Sequence, residues 1–223
     1  MKLSYGDSVI SLEITDNMIS TLVIEDKRQF RHLLYDFVAQ GNGEVGLWVL
    51  GEDGKCLNLQ KQLYIIRDPL NTDINSKDIL TKLQNQLIKT GYDFMQDVFD
   101  INQKIQNFYY SVENEYPYDI IHKQELSVQE LVKMGGFNFY TENTGELIDL
   151  VSYIEVVQEF INPAMFVLVN LHAVTNLDER NVLFKTLVEK KFPVLCLESS
   201  LDSIEFDKNV EVRYILDKDF CLI

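Results

Sequence analysis

Acidic side chains gather near the middle of the chain in a pattern that is suited to binding a hard cation. Glu113, Asn114 and Glu115 follow one another, and Asp119 and Glu125 come shortly after them. Carboxylate and amide oxygens are the ligands that Ca²⁺ takes in sets of about six to eight. The spacing differs from that of an EF-hand loop, which needs alternating acidic positions and a central glycine. The segment therefore predicts either a calcium site or a solvated acidic loop.

Basic residues are scarce, and they form three small groups. Lys27, Arg28 and Arg31 lie at the start of a predicted helix. Lys82 and Lys89 share a face of a long helix. Lys185, Lys190 and Lys191 lie at the end of a later helix. None of the groups is a nucleic-acid-binding motif by itself, and each is also typical of ordinary surface charge. The chain carries 20 Lys and Arg against 35 Asp and Glu, a formal net charge of −15. That balance argues against phosphate binding unless cations are concentrated locally.

Motifs for enzymatic chemistry are missing. A phosphate-binding loop would need a glycine five positions before Gly54 and Ser or Thr after Lys55, but Val49 and Cys56 stand there. No G-x-G-x-x-G sequence follows a predicted strand, and the three histidines lie outside any recognisable catalytic or zinc motif. These absences do not exclude a Ser-His-Asp or Cys-His site, because such triads assemble in space rather than along the sequence.

An enzyme nevertheless stays open as an alternative. The carboxyl ends of parallel strands are where ligands bind in α/β sheets. Asn170, His172 and Glu198 lie at such predicted strand ends. A nucleotide-binding or nucleotide-hydrolysing α/β enzyme would use this position.

The elements that position these residues fall into two classes. Both ends of the chain are rich in strand-like runs: three within residues 1–24, then 47–50, 56–66, 165–169, 193–197, 210–215 and 220–223. Asp26 and Asn176 are placed to cap helices that run to about residues 38 and 191, and another helix is expected over 145–161. A strand, a helix and a second strand joined by short links predict a right-handed β-α-β unit.

The middle of the chain reads as helical. Ser76 can cap a long amphipathic stretch over residues 77–110, which Gly91 is expected to kink or split. Ser127 and Glu130 form a capping box for a short helix that ends at Gly135. We therefore predict an α/β fold in which a mainly parallel sheet forms a head from residues 1–62 and 137–223. An α-helical leg over residues 63–136 is inserted into it.

Nothing in the sequence predicts secretion or membrane insertion. The N-terminus has no apolar core of signal-peptide length, and no run approaches the roughly 18 apolar residues of a membrane helix. Three cysteines without C-x-x-C spacing fit a reducing compartment. A cytoplasmic protein is expected.

In the order of its segments the chain resembles the ring-forming Csn-type adaptation protein family of type II-A CRISPR systems. The resemblance covers nearly the whole chain and lies in these segments: residues 1–14, 65–76, 112–115, 127–135, 166–170, 194–199 and 217–223. It implies an α/β head, a helical leg, a homotetrameric ring without catalysis, and bound Ca²⁺. The ring would bind the ends of linear double-stranded DNA without sequence preference. It would assist spacer acquisition beside the integrase subunits and the effector nuclease.

The same resemblance implies roles for particular residues. Glu113 and Glu115 match the family's acidic segment best as calcium ligands, and Asp119 and Glu125 are further expected ligands. The DNA-contacting lysines have no residue-by-residue match, so Lys82, Lys89 and Lys104 are assigned from their place on the leg helices. A third hypothesis is an acidic scaffold that binds only proteins.

Overall fold

The computed structural model describes residues 1–141, 144–200 and 205–223. The chain divides into two compact units. The first, which we call the α/β unit, combines Met1–Asp73 with Asn143–Ile223, and the second, the helical unit, is Ile74–Glu142. Both ends of the chain therefore build one unit, with the other inserted between them.

Nine strands are described, numbered in chain order: β1 Lys2–Tyr5, β2 Ser11–Glu13, β3 Ile19–Ile24, β4 Trp48–Glu52, β5 Lys55–Leu57, β6 Leu63–Ile66, β7 Met165–Val169, β8 Val194–Glu198 and β9 Glu211–Leu216. The described helices are α1 Lys27–Gly41, α2 Leu59–Gln62, α3 Lys77–Gly91, α4 Met95–Glu113, α5 Val128–Gly135, α6 Leu147–Phe160 and α7 Leu177–Glu189. Among the described residues, no helix is long and apolar enough to cross a bilayer.

A five-stranded parallel sheet, in the order β6-β7-β8-β3-β9, is the centre of the α/β unit. Strands β3, β7 and β8 are buried along their whole length, which is typical of parallel strands covered on both faces. The chain runs from β7 through α7 to β8, as the β-α-β prediction requires. The predicted α/β class with a mainly parallel sheet is confirmed.

A second sheet of four antiparallel strands has the order β2-β1-β4-β5. One apolar cluster joins this sheet, α1 and one face of the parallel sheet, and it includes Leu3, Phe37, Trp48 and Leu197. The indole N–H of Trp48 donates to the Leu33 carbonyl oxygen at 3.1 Å. Each large side chain buried here contributes about 1.5–3 kcal/mol of transfer free energy.

Two of the predicted strands differ in the structure. The single strand expected over residues 56–66 is divided, because β5 forms a hairpin with β4 while β6 pairs with β7 in the other sheet. The short helix α2 lies between them. The strand expected over residues 220–223 is only a bridge between Leu216 and Leu222, because Asp217 accepts the backbone N–H groups of Asp219 and Cys221 and turns the chain.

The helical unit contains α3, α4 and α5. A 3-10 turn at Tyr92–Phe94 separates α3 from α4, so the predicted long helix is split directly after Gly91. Gly91 lies against α5, where a Cβ atom would be 2.6 Å from Cγ1 of Val128. Both hydrogen bonds of the predicted capping box between Ser127 and Glu130 are present at the start of α5.

Candidate functional site

The four carboxylates expected to bind calcium follow the end of α4. Glu113 is the last residue of the helix, and its Oε1 forms an ion pair with Nδ1 of His122. Glu115, Asp119 and Glu125 are exposed along the segment that leads to α5. The structure therefore places all four in one stretch of the helical unit but pairs only Glu113 with another side chain.

His122 is the centre of this segment. Its Nε2 lies 2.6 Å from Oε1 of Gln106, and the rings of Tyr109 and Tyr110 lie 5.0 and 5.1 Å from its own ring. Both ring nitrogens thus lie within hydrogen-bonding distance of side-chain oxygen atoms of α4. Sequence reasoning gave His122 no role, since nothing in its spacing relates it to the side chains of α4.

Two amides of α4 hold the same segment. The buried Asn102 donates to the Leu126 carbonyl oxygen at 3.0 Å and accepts the Leu126 N–H at 2.8 Å. Gln106 donates to the Lys123 carbonyl oxygen at 3.1 Å. These contacts satisfy backbone groups that have no sheet or helix partner, so the acidic segment is tied along α4.

The arrangement of the acidic side chains can be compared with the needs of a calcium ion. Calcium takes several oxygen ligands that converge on one point. Among the described residues, no three His, Cys, Asp or Glu side chains come together as metal ligands. Since Glu113 is bound to His122 and the other three carboxylates are exposed, the four do not form a ligand set as arranged.

Three lysines were expected to contact DNA. Lys82 lies on α3 and Lys104 on α4, and both are exposed, as is Lys89 near the end of α3. No described carboxylate lies within 4 Å of their ammonium groups. Their charge is therefore available to an anionic ligand.

The helical unit also exposes many large apolar side chains. Phe94 and Phe99 are each 55% exposed, Phe108 is 63% exposed and Ile121 is 95% exposed. Where such side chains form one continuous patch, the patch usually marks a contact with another molecule.

In the α/β unit, charged side chains are buried beside the parallel sheet. Arg180 of α7 and Glu198 of β8 are almost fully buried. Burial raises the pKa of the Cys196 thiol, Glu198 and Glu211 raise it further, and Arg180 lowers it. Cys196 is consequently an inert thiol. Sequence reasoning missed this cluster, because a charge within an amphipathic helix is normally on the solvent face.

The strand ends considered for nucleotide chemistry have structural partners. The His172 N–H donates to Oε1 of Glu198 at 3.3 Å, and the Ser199 N–H donates to Oδ1 of Asn170 at 3.0 Å. Asn170 is in the left-handed region at φ 53°. These contacts join the carboxyl ends of β7 and β8 to each other.

Comparison with known proteins places the chain in a family. No curated protein sequence matches it. A solved structure of an ABC transporter ATP-binding protein from Pyrococcus furiosus is similar, with 9% identity, a TM-score of 0.40, and coverage of 96% of this chain and 97% of that one. A TM-score of 0.40 is too low to indicate a shared fold or function. The model of the CRISPR-associated protein family Cas_Csn2 matches residues 40–220. The chain therefore belongs to the Csn2 family of CRISPR adaptation proteins, as its resemblance to the Csn-type family predicted.

Proposed function

We propose that this protein is a non-catalytic, calcium-stabilised homotetrameric ring that binds the ends of linear double-stranded DNA during CRISPR spacer acquisition. The observation that carries the proposal is the family match over residues 40–220. In this role the ring holds DNA by enclosing it and by contacting phosphates, so it needs no base-specific contacts. The integrase subunits and the effector nuclease are the proposed protein partners.

Features of the helical unit support the DNA and assembly parts of the proposal. Lys82, Lys89 and Lys104 are exposed without a described carboxylate partner, as phosphate-contacting side chains need to be. The exposed aromatic side chains of the same unit, such as Phe99 and Phe108, suit burial between subunits. A ring also brings together the few lysines of several subunits, so a locally basic surface is compatible with the net charge of −15 per chain.

The proposed calcium ligands are Glu113, Glu115, Asp119 and Glu125. Four carboxylates in 13 residues repel one another, and a bound divalent cation would remove that repulsion. Oε1 of Glu113 contacts His122, and we propose that a bound ion competes with His122 for this carboxylate.

The decisive experiment compares linear and covalently closed duplexes in an electrophoretic shift, each with calcium and with a chelator. We expect the linear duplex to shift only with calcium, with a complex that weakens as salt rises. The closed circle is expected to shift poorly because it has no end to thread. Equal binding to both topologies would contradict enclosure.

The two alternatives give different outcomes in simple assays. A nucleotide-binding enzyme that uses Asn170, His172 and Glu198 would bind ATP with magnesium in calorimetry and turn it over. The structure gives this reading little support, since the Asn170 and Glu198 side chains already accept backbone N–H groups. An acidic scaffold that binds only proteins would shift neither DNA.

A further inference from the structure

A second group of cations lies on the exposed face of α1, in the α/β unit. Arg28, Arg31, His32 and Tyr35 are all exposed, while Phe30 on the opposite side of the helix packs into the core. The spacing of three, four and seven residues from Arg28 puts these four side chains on one face of the helix. They line a concavity of about 610 Å³ together with Gln29.

The charges on this face are poorly placed for the helix itself. Lys27 and Arg28 occupy the first turn, which contains no acidic residue, although the positive end of the helix dipole disfavours cations there. Lys27 and Arg31 are four residues apart, so they repel each other along the helix. The capping carboxylate of Asp26, which accepts the Gln29 N–H at 2.8 Å, offsets the dipole locally, and Glu25 comes directly before it.

The two arginines of this face have no ion-pair partner among the described residues, although the Asp36 carboxylate lies beside the Tyr5 hydroxyl that contacts His32. No described carboxylate forms an ion pair with Arg28 or Arg31, even though acidic residues outnumber basic ones by 35 to 20. Lys185, Lys190 and Arg213 of the same unit each have a carboxylate partner, whereas Lys55 and Lys61 have none among the described residues. Natural sequences break local rules of this kind mainly at functional sites.

The side chains on the face also match one kind of ligand. Arginine, glutamine and tyrosine side chains are donors to phosphate oxygens in protein–DNA complexes, and histidine carries a ring N–H that can donate in the same way. The Tyr5 hydroxyl lies 3.5 Å from Nε2 of His32, and Tyr35, on the same face, is 70% exposed. From residue 28 to residue 35 the helix rises about 10 Å, which is long enough for its exposed side chains to reach more than one phosphate of a DNA strand.

We propose that the exposed face of α1 is a phosphate-binding surface for the duplex backbone, with Arg28 and Arg31 as its main contacts. This inference rests on the DNA binding proposed above and adds to it a contact surface in the α/β unit. The ligand is the sugar-phosphate backbone rather than a base sequence, because nothing on the face is arranged to read base edges.

The test uses the full-length protein and a labelled linear duplex in fluorescence anisotropy over a range of salt concentrations. The variants are Arg28→Gln with Arg31→Gln, the charge-retaining Arg28→Lys with Arg31→Lys, and a control in which the exposed Lys55 and Lys61 are both changed to Gln. The control removes the same charge from the same unit. The loss of two phosphate contacts reduces the magnitude of the slope of log K against log salt by about 1.8. At 0.15 M salt this corresponds to a roughly 30-fold lower affinity for the duplex.

We expect that loss in the Arg-to-Gln variant, near-normal binding in the Arg-to-Lys variant, and little change in the Lys55 and Lys61 control. If the wild type binds DNA and the Arg-to-Gln variant binds equally well, this inference is wrong while the proposed function stands. Equal losses in the Arg-to-Gln variant and the control would also overturn it, since the effect would then be general charge. A wild type that binds no duplex would refute both.

A melting curve without DNA separates binding from folding. Removing the cations relieves repulsion, so the Arg-to-Gln variant is expected to melt at the wild-type temperature or above it. A clearly lower melting temperature would show that the two arginines serve the fold, and would overturn the inference.

Discussion

Arg213 and Glu211 form a two-point ion pair on β9, with Nε to Oε1 at 2.7 Å and Nη2 to Oε2 at 3.2 Å. Their side chains are only 5% and 1% exposed, and the Arg213 guanidinium also lies 4.3 Å from the ring centroid of Phe206. Breaking a buried pair leaves one charge without compensation.

Arg213→Met is therefore expected to lower the free energy of unfolding by about 3 kcal/mol. Adding Glu211→Leu to it should restore part of the loss, because the stranded carboxylate is then gone. The matched control is Lys190→Met, whose ion pair with Glu155 is exposed and worth at most about 1 kcal/mol. Urea unfolding checks all three, and equal effects of Arg213→Met and Lys190→Met would contradict the argument.

Gly91→Ala should destabilise the helical unit, although the same change usually stabilises a helix. The new Cβ would lie 2.6 Å from Cγ1 of the buried Val128, so α3 or α5 must shift. We expect a loss of about 1–3 kcal/mol, the usual cost of overpacking. A double-mutant cycle with Val128→Ala measures the coupling. A Gly91→Ala variant as stable as the wild type would show that the helices are not packed this closely.

The capping box of α5 is expected to make the stability of the protein depend on pH. The hydrogen bond from Lys123, followed by those from Ser127, lowers the pKa of Glu130 to about 2 from its usual 4.5. A lowered pKa in the folded state gives stability that is present above pH 4.5 and is lost as the pH falls toward 2. Glu130→Gln should lower the melting temperature at pH 7 and make little difference at pH 2. Glu44→Gln, at another exposed carboxylate, is the control.

Calcium binding is tested by the double variant Glu113→Ala with Glu115→Ala. The wild type should melt at a higher temperature with calcium than with a chelator, since a ligand of the folded state stabilises it. The double variant should lose that difference. Asp97→Ala with Asp100→Ala, exposed carboxylates of α4, is a control of equal charge. An unchanged calcium response in the Glu113 and Glu115 variant would move the site elsewhere.

The proposed DNA contacts of the helical unit are tested by changing Lys82, Lys89 and Lys104 to Gln together. Each lost phosphate contact lowers the salt slope of duplex binding by about 0.9. Binding should weaken uniformly for duplexes of different sequence. Lys190→Gln is the control, because its ammonium is already paired with Glu155. A salt slope equal to that of the wild type would exclude these lysines as contacts.

Local signals in the sequence correctly predicted much of the secondary structure. Asp26 caps α1, and the Ser127–Glu130 and Asn176–Glu179 capping boxes begin α5 and α7. Such signals succeed because a cap satisfies backbone groups within three or four residues of itself. The run of apolar residues in β7 and β8 likewise predicted buried parallel strands.

Contacts between distant parts of the chain were decided only by the tertiary structure. The division of residues 56–66 between two sheets depends on β4 and β7, which lie on either side of them in sequence. The pairing of Glu113 with His122, and the burial of Arg180, likewise depend on how the chain folds back on itself. By itself, the sequence determined the α/β class, the helix starts and the family resemblance, because these follow from near neighbours and collinear order. Sheet order and side-chain partners depend on long-range packing, which periodicity along the chain does not encode.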